Sequence, residues 1–233
     1  DWMIANKVFG STDTERERVF QQEYPSTVEE AFLSKGTNVY SKELCDLVET
    51  QCQEPMVRGE VVDRAGKSKI KANAMGKFAM WERPVKTETY FITCDPGGGI
   101  KPSHEADKIE PDPTCIDVWN RRTGVQCAQW HGHVDYGMIA GIIYLLGRMY
   151  FMAPACVELM NHGYTVVKDL TDLTYPMYEA KPNEPGWLTT RASKPIMVDD
   201  LGEMARNSEL QIRSVQTASE MRTYIEENGK YNA

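Results

Sequence analysis

The order of the predicted elements indicates an α/β protein in which a mixed β-sheet is flanked by helices. From Thr89 onward, three strand-like segments are followed by an apolar segment too long for a strand, then by a short apolar run and a helix-like segment. The first three strands suit an antiparallel meander, because a turn-prone stretch separates the second from the third. The short run after the helix suits a parallel strand.

The first 54 residues predict a helical extension. Two polar helix-like segments, TERERVFQQEY and STVEEAF, are separated by Pro25. A third segment, SKELCDLVETQCQ, can be capped by Ser41. Its Leu44, Leu47 and Val48 fall on one helical face, which we expect to pack inward.

Residues 55–88 predict a β-hairpin extension that packs on the core. Short β-prone pieces alternate there with turn-prone glycines at Gly59, Gly66 and Gly76, as in antiparallel hairpins. The remaining residues, 89–233, make up the core domain of this prediction.

The core elements follow in order. Strands are predicted in TYFITCD, TCIDVWN, VQCAQWHGHV and ACVEL, and helices in YGMIAGIIYLLGRMY, YTVVKDLTDL, SKPIMVDDLGEMARNSEL and SVQTASEMRTYIEENG, with QIRS as a brief strand between the last two. The first of these helices places Ile139, Ile142, Ile143 and Leu146 on one face. Residues 175–194 are rich in Pro, Gly and basic side chains and predict a long loop.

Composition limits the class of protein. A hydrophobic fraction of 41% is that of an ordinary folded chain, and no apolar run approaches the roughly 20 residues that cross a bilayer. The formal net charge of −8 argues against a stand-alone protein that holds nucleic acid by bulk electrostatics. The six cysteines form no C-x-x-C pair, which favours a reducing compartment.

Two acids follow strand-like runs. Asp95 directly follows YFITC, and Glu158 directly follows ACV. Their carboxylates would converge if these two strands are neighbours in the sheet, at the usual strand spacing of ~4.8 Å. Paired metal ions ~3.5–4 Å apart compensate such charge in nucleases, and oxygen ligands suit Mg²⁺ or Mn²⁺. Alternatively, Asp95 begins a turn in DPGG and Glu158 is a solvated strand end. The glycines match neither a dinucleotide-binding fingerprint nor a P-loop.

Other polar residues have more ordinary interpretations. His131 and His133 are spaced like strand neighbours and lack the further ligands of a metal site, and His162 suits a helix start. The basic residues of the long loop are the predicted phosphate contacts, although a solvated loop also explains them. They are Lys181, Arg191 and Lys194.

The sequence resembles the C-terminal nuclease domain of the large terminase subunit of tailed bacteriophages, a domain with an RNase H-like fold. QQEYPSTVEEAF resembles the segment after the motor domain, YFITCDPGGG the first acidic motif, and CVELMNHG the second. GWLTTRASKPIMVDDLGEMARNSELQIRS and EMRTYIEENGK resemble the stretch before the final motif. The resemblance therefore covers most of the chain.

This resemblance implies a set of site residues. Asp95 would bridge two Mg²⁺ or Mn²⁺ ions, Glu158 would bind one of them, and Asp112 resembles an auxiliary acid that helps to hold a metal or its water. The third acid of the family is expected beyond Ala233. The in-chain substitutes, Asp199 and Asp200, are interpreted instead as the cap of a helix that they precede.

The resemblance also implies a function. The chain would be a metal-dependent endonuclease domain that cleaves concatemeric double-stranded DNA during viral packaging in the host cytoplasm. The motor domain, the small terminase subunit and the portal would be its partners. A non-catalytic module that docks on the portal or motor, and another RNase H-like nuclease of the resolvase or transposase type, remain alternatives.

Overall fold

The computed structural model describes residues 37–100, 111–160, 162–227 and 230–232. The predicted helices in TERERVFQQEY and STVEEAF lie outside these residues. The chain divides into two compact units, one of residues 1–45 and 219–233 and the other of residues 46–218. The predicted boundaries at residues 54 and 88 stay a prediction.

The described residues form twelve strands and five helices. The strands are β1 (Thr37–Asn38), β2 (Val57–Arg64), β3 (Lys67–Ala72), β4 (Phe78–Met80), β5 (Tyr90–Asp95), β6 (Thr114–Asn120), β7 (Gln126–Gly132), β8 (Ala155–Val157), β9 (Glu179–Lys181), β10 (Glu184–Pro185), β11 (Ile225–Glu227) and β12 (Lys230–Asn232). The helices are α1 (Lys42–Gln51), α2 (Tyr136–Met149), α3 (Gly163–Asp172), α4 (Ser193–Arg206) and α5 (Val215–Thr223). None of the helices in the described part of the chain is long and apolar enough to cross a membrane.

The smaller unit contains a three-stranded antiparallel sheet. Its strands lie in the order β1, β11, β12. The ring of Tyr224 stacks on Tyr40 on one side and on Tyr231 on the other, with centroids 6.1 and 5.9 Å apart.

The larger unit is built on one seven-stranded sheet in the order β3, β2, β4, β7, β6, β5, β8. All neighbouring pairs are antiparallel except β5 and β8, which run parallel with Ile92 opposite Ala155. A parallel neighbour requires a crossover, and α2 provides it. The predicted mixed α/β fold, with a meander and one parallel strand, is confirmed.

Alternation along the strands places the core on one face of this sheet. Ile92 and Cys94 in β5 are buried, as are Ile116 and Val118 in β6. The predicted apolar face of α2 belongs to the same core, where Ile139, Ile143 and Leu146 are fully buried and Ile142 packs at the margin. Asp135 begins the helix by accepting a hydrogen bond from the Gly137 N–H at 2.9 Å.

The strands of the hairpins predicted in residues 55–88 belong to this sheet. Phe78 of β4 pairs with Trp130 of β7, which joins β2, β3 and β4 to the core strands. Two glycines make the close packing possible, since a Cβ on Gly76 would lie 2.2 Å from the Gly59 carbonyl oxygen and one on Gly59 would lie 2.3 Å from that of Lys71.

The outer edge of β8 is covered by the segment predicted as a loop. Tyr178 N–H donates to the Ala155 carbonyl at 2.8 Å, and Trp187 N–H donates to that of Val157 at 2.9 Å. Between these contacts, β9 and β10 form a two-stranded hairpin. The segment therefore contains more regular structure than its composition predicts, because its main chain is held by β8.

Three local predictions are corrected. Leu47 is 38% exposed, so the inward face of α1 comprises Leu44 and Val48 without it. QIRS is not a strand, because only Gln211 forms a bridge, to Val125. The last predicted helix ends at Thr223, and the chain then enters β11.

Candidate active site

Asp95 and Glu158 are brought together by the only parallel strand pair in the described sheet. Cys94 pairs with Val157, and the Glu158 N–H donates to the Cys94 carbonyl at 2.9 Å. The next residue of each strand therefore projects from the same face and the same edge of the sheet. The two carboxyl groups share a hydrogen bond. The predicted convergence of these acids is what the structure shows.

The pKa of Asp95 is raised from its ordinary value of 3.8 to about 6. Burial by surrounding protein atoms is the largest cause, followed by the negative charge of Glu158 and by the hydrogen bond to it. The side chain is nevertheless open to solvent on one side. The negative charge of Glu158 crowds the Asp95 carboxylate, which faces solvent, so the position favours a cation.

The glycines after Asp95 allow the chain to pass close to the start of β6. A Cβ on Gly97 would lie 2.1 Å from the Asp112 carbonyl oxygen, and the Gly97 N–H donates to Thr114 Oγ1 at 3.0 Å. Gly98 N–H donates to the same Asp112 carbonyl at 2.9 Å. Gly99 has a φ of +86°, which favours glycine. Residues 96–100 are irregular backbone without a turn, so Asp95 ends a strand rather than beginning a turn.

Two further charged groups act on Asp95. The negative charge of Asp112 raises its pKa, and the positive charge of Lys194 lowers it. Trp187 bridges to Glu158, and its indole N–H contacts the sulfur of Met197 at 3.2 Å, in the same helix α4 that carries Lys194. Of the three predicted basic residues, Lys194 is therefore the one that the structure brings to the acids.

The start of α3 packs directly against the end of β8. A Cβ on Gly163 would lie 1.9 Å from the Glu158 carbonyl oxygen, so only glycine permits this contact. His162 stands at the predicted helix start, where its side chain makes no capping hydrogen bond, and its ring stacks on Tyr136 at 4.4 Å. His162 is thus part of the packing between α2 and α3.

Other predicted residues lie elsewhere. Lys181 forms an exposed ion pair with Glu184 at 3.4 Å, and Arg191 is exposed before α4. Asp199 and Asp200 are exposed residues inside α4, so the prediction that they precede and cap a helix is wrong.

His131 is in β7 and His133 follows the end of that strand. Burial, followed by the charge of His133, lowers the pKa of His131. The His133 Nε2 atom lies 2.7 Å from the Pro111 carbonyl oxygen.

Sequence reasoning missed a third acid on the same face of the sheet, Asp117. Its Oδ1 accepts hydrogen bonds from the side-chain amides of Gln126 at 2.7 Å and Gln129 at 3.0 Å. Gln129 Oε1 in turn accepts from the Ser214 hydroxyl at 2.8 Å. An acid in the middle of an otherwise apolar strand, followed by two glutamines in the next strand, was the available signal.

The acid pair fits a hard divalent cation. Across the described ranges, no group of three or more His, Cys, Asp and Glu side chains is arranged to hold a metal ion. A protein cage of the calcium type is therefore not present there. Mg²⁺ is commonly held by one or two carboxylates with waters and substrate phosphates as its other ligands, and Asp95 and Glu158 supply that set.

No family model and no curated protein matches the chain. Solved structures do. The large terminase nuclease of thermophilic phage G20c superimposes with a TM-score of 0.56 at 13% identity, covering 84% of this chain and 87% of that one. The chain has the fold of a large terminase nuclease.

Two further structures agree with the terminase nuclease fold. The G20c nuclease with bound magnesium gives a TM-score of 0.55 at 12% identity, over 82% of each chain. The nuclease domain of the Thermus phage P74-26 large terminase gives 0.52 at 11% identity, over 78% of this chain and 77% of that one. The resemblance to these domains and the RNase H-like fold predicted from it are thereby confirmed.

Proposed function

We propose that this chain is the metal-dependent endonuclease domain of a viral DNA-packaging terminase. The observation that carries the proposal is the acid pair of Asp95 and Glu158, which lies at the carboxyl end of two parallel strands within a large terminase nuclease fold. Metal binding by structures of this fold supports it, since the G20c nuclease was solved with magnesium and with cobalt. The substrate would be concatemeric double-stranded DNA.

The proposed chemistry is phosphodiester hydrolysis. Mg²⁺ or Mn²⁺ ions, two by analogy with nucleases that use a metal pair, would polarise the phosphate and activate the attacking water. Asp95 would hold both ions and Glu158 would hold one of them. Asp112 would hold a metal or its water, and its charge acts on Asp95 from just before β6. The oxygen of water bonds to phosphorus and one backbone P–O bond breaks, with no covalent bond to the protein.

The proposed DNA contacts are the basic residues near α4. Lys194 is beside the acid pair and would bind an oxygen of the phosphate that is cleaved. Arg191 and Lys181 are exposed, come before Lys194 in the chain, and would contact neighbouring phosphates. With a net charge of −8, the domain would depend on other parts of the packaging machine to hold DNA. We propose that the motor domain, the small terminase subunit and the portal are these partners, and that the complex acts in the host cytoplasm.

The deciding experiment is plasmid nicking with Mn²⁺, with Mg²⁺ and with EDTA. Wild type is compared with Asp95→Asn and Glu158→Gln, and with Asp172→Asn as the control. Asp172 is an exposed acid of α3 that is paired with Lys168 at 2.8 Å. We expect metal-dependent cutting by wild type and the control, and none by the two site variants.

Other outcomes have defined meanings. Cutting that persists in both site variants would remove the site assignment. A wild-type chain that neither cuts nor binds Mn²⁺, alone or extended past Ala233, would favour the non-catalytic docking module.

A further inference from the structure

The hairpin of β2 and β3 has an exposed face that is basic in an otherwise acidic chain. Alternate residues of these strands point to this face, and its cross-strand pairs are Glu60 with Lys71, Val62 with Lys69, and Arg64 with Lys67. Arg58 lies on the same face, two residues before Glu60. The face therefore carries five cations and one acid, within a chain whose net charge is −8.

These cations are available to a partner. Arg64 and the three lysines are exposed, and in the described part of the chain none of the four belongs to an ion pair. Arg64 and Lys67 stand directly opposite each other, an arrangement of like charges that destabilises a strand pair. An anion that binds across this face would relieve that repulsion.

The sheet register relates this face to the acid pair. One row of paired residues crosses five strands and consists of Gly59, Phe78, Trp130, Ile116 and Cys94. Glu60 follows Gly59 at one end of this row, and Asp95 follows Cys94 at the other end. Because β2 and β5 run in the same direction, Glu60, its partner Lys71 and Asp95 all lie one residue to the same side of the row. Since their neighbours in the row face the core, Lys71 and Asp95 both project from the opposite face. Five strand spacings of ~4.8 Å separate them by at most ~24 Å.

We propose that the exposed face of the β2–β3 hairpin is a second contact surface for the DNA backbone. This inference rests on the proposed nuclease function and extends it beyond the acid pair. A distance of ~24 Å corresponds to about 7 base pairs of duplex at 3.4 Å each. Ser214 and Thr217 form hydrogen bonds to Gln129 in β7, which lies between the two surfaces. The duplex would therefore contact the hairpin face and the acid pair separately.

Duplex DNA fits this face better than an acidic protein does. Protein interfaces are depleted in lysine and enriched in aromatic residues, methionine and arginine, of which this face has only the arginines, Arg58 and Arg64. The hairpin face has three lysines, no aromatic residue and a single apolar side chain, Val62. Sequence-independent phosphate contacts need only such a row of exposed cations.

The test is the salt dependence of DNA binding in the Asp95→Asn background, where no cleavage is expected. Fluorescence anisotropy with a 30-base-pair duplex compares the triple variant Lys67→Gln, Lys69→Gln, Lys71→Gln with a control that loses the same charge. In the control, three exposed cations outside the hairpin become glutamine: Lys86, Lys168 and Arg206.

We expect the slope of log affinity against log salt to fall in magnitude by about 2.7 in the hairpin variant, at about 0.9 for each lost phosphate contact. The control should change it by less than about 1. The parent chain should also bind more weakly to duplexes shorter than the roughly 7 base pairs that separate the two surfaces. The hairpin variant should not show this dependence on duplex length.

A hairpin variant that matches the control in slope and in length dependence would overturn the inference. The inference would also be overturned if the hairpin variant kept its affinity for DNA and lost only its binding to an acidic protein. The two proposals fail separately. A wild-type chain that cuts DNA while the hairpin variant behaves like the control refutes only the second contact, whereas binding with the expected slope but without cutting refutes the nuclease.

Discussion

Asp95 and Asp117 are acids on the same face of the same sheet, and their surroundings differ. Asp117 is enclosed by donors, receiving hydrogen bonds from Gln126, Gln129 and the Cys115 thiol. Burial raises its pKa, and these three hydrogen bonds oppose that rise. Asp95 has another carboxyl, Glu158, as its hydrogen-bond partner, and both burial and that neighbour raise its pKa.

The difference separates an acid whose charge the fold compensates from the acid proposed to bind metal. A buried carboxylate that is surrounded by donors has its charge compensated within the fold. A carboxylate beside another carboxylate is compensated only by a proton or by a cation from outside. The identity of the neighbours distinguishes the two positions.

The largest effect should come from removing one member of the uncompensated pair. Glu158→Gln keeps the shape of the side chain and removes a charge, so it should lower the rate of metal-dependent DNA cleavage by at least ~100-fold, because several kcal/mol of transition-state stabilisation depend on the metal. Its melting temperature should not fall. Cleavage assays and thermal unfolding on the same preparation check this. A variant that loses activity because it unfolds would place Glu158 with Asp117 as a structural acid.

The corresponding change at the compensated acid should affect stability first. Asp117→Ala removes the acceptor of the buried Gln126 amide and leaves the Gln129 amide with Thr217 and Cys115, at about 1–3 kcal/mol for an unsatisfied buried group. We expect the free energy of unfolding to fall by about 1–3 kcal/mol in urea titrations. Cleavage by the remaining folded protein should persist at low temperature. Full stability together with lost cleavage would reverse the roles assigned to the two acids.

Lys194 allows a finer test, because it is the cation that acts on Asp95. Lys194→Gln should lower kcat/KM for DNA by about tenfold, equivalent to about 1.4 kcal/mol, through loss of a phosphate contact at the site. The same change should tighten Mn²⁺ binding in calorimetry, since a competing positive charge is removed. Lys86→Gln, at an exposed cation with no proposed role in the site, is the control and should change both quantities little. Weaker Mn²⁺ binding in Lys194→Gln would contradict this account.

The smallest expected effect is a dependence of stability on pH. Asp95 has a pKa of about 6 in the folded chain against an ordinary value of 3.8, so the folded state binds its proton more tightly than the unfolded state. The stabilising effect of that proton is fully present below about pH 4 and is lost as the pH rises through 6. Asp95→Asn should therefore raise the melting temperature relative to wild type at pH 7 and not at pH 4, without added metal. Calorimetry that finds the same difference at both pH values would exclude the raised pKa.

Much of the sheet could be predicted because its strands are marked locally. β5 and β8 are apolar runs that end at an acid, so sequence alone located Asp95 and Glu158 at strand ends. The partners of Asp117 could not be found in this way, since Ser214 reaches Gln129 across 85 residues of sequence. The cover of β8 was missed for a similar reason. Main-chain pairing by Tyr178 and Trp187 places little constraint on side chains and leaves no periodicity in the sequence.

The same long-range pairing has a consequence for the order of folding. Glu158 lies 63 residues after Asp95 (158 − 95 = 63), and the main chain that covers β8 extends to Trp187. Contacts of such separation carry a large loop-closure entropy and form slowly. The acid pair should therefore assemble late, after the meander of β5, β6 and β7, whose pairings are local. A nascent chain would expose a nearly complete sheet before it acquires the proposed metal site.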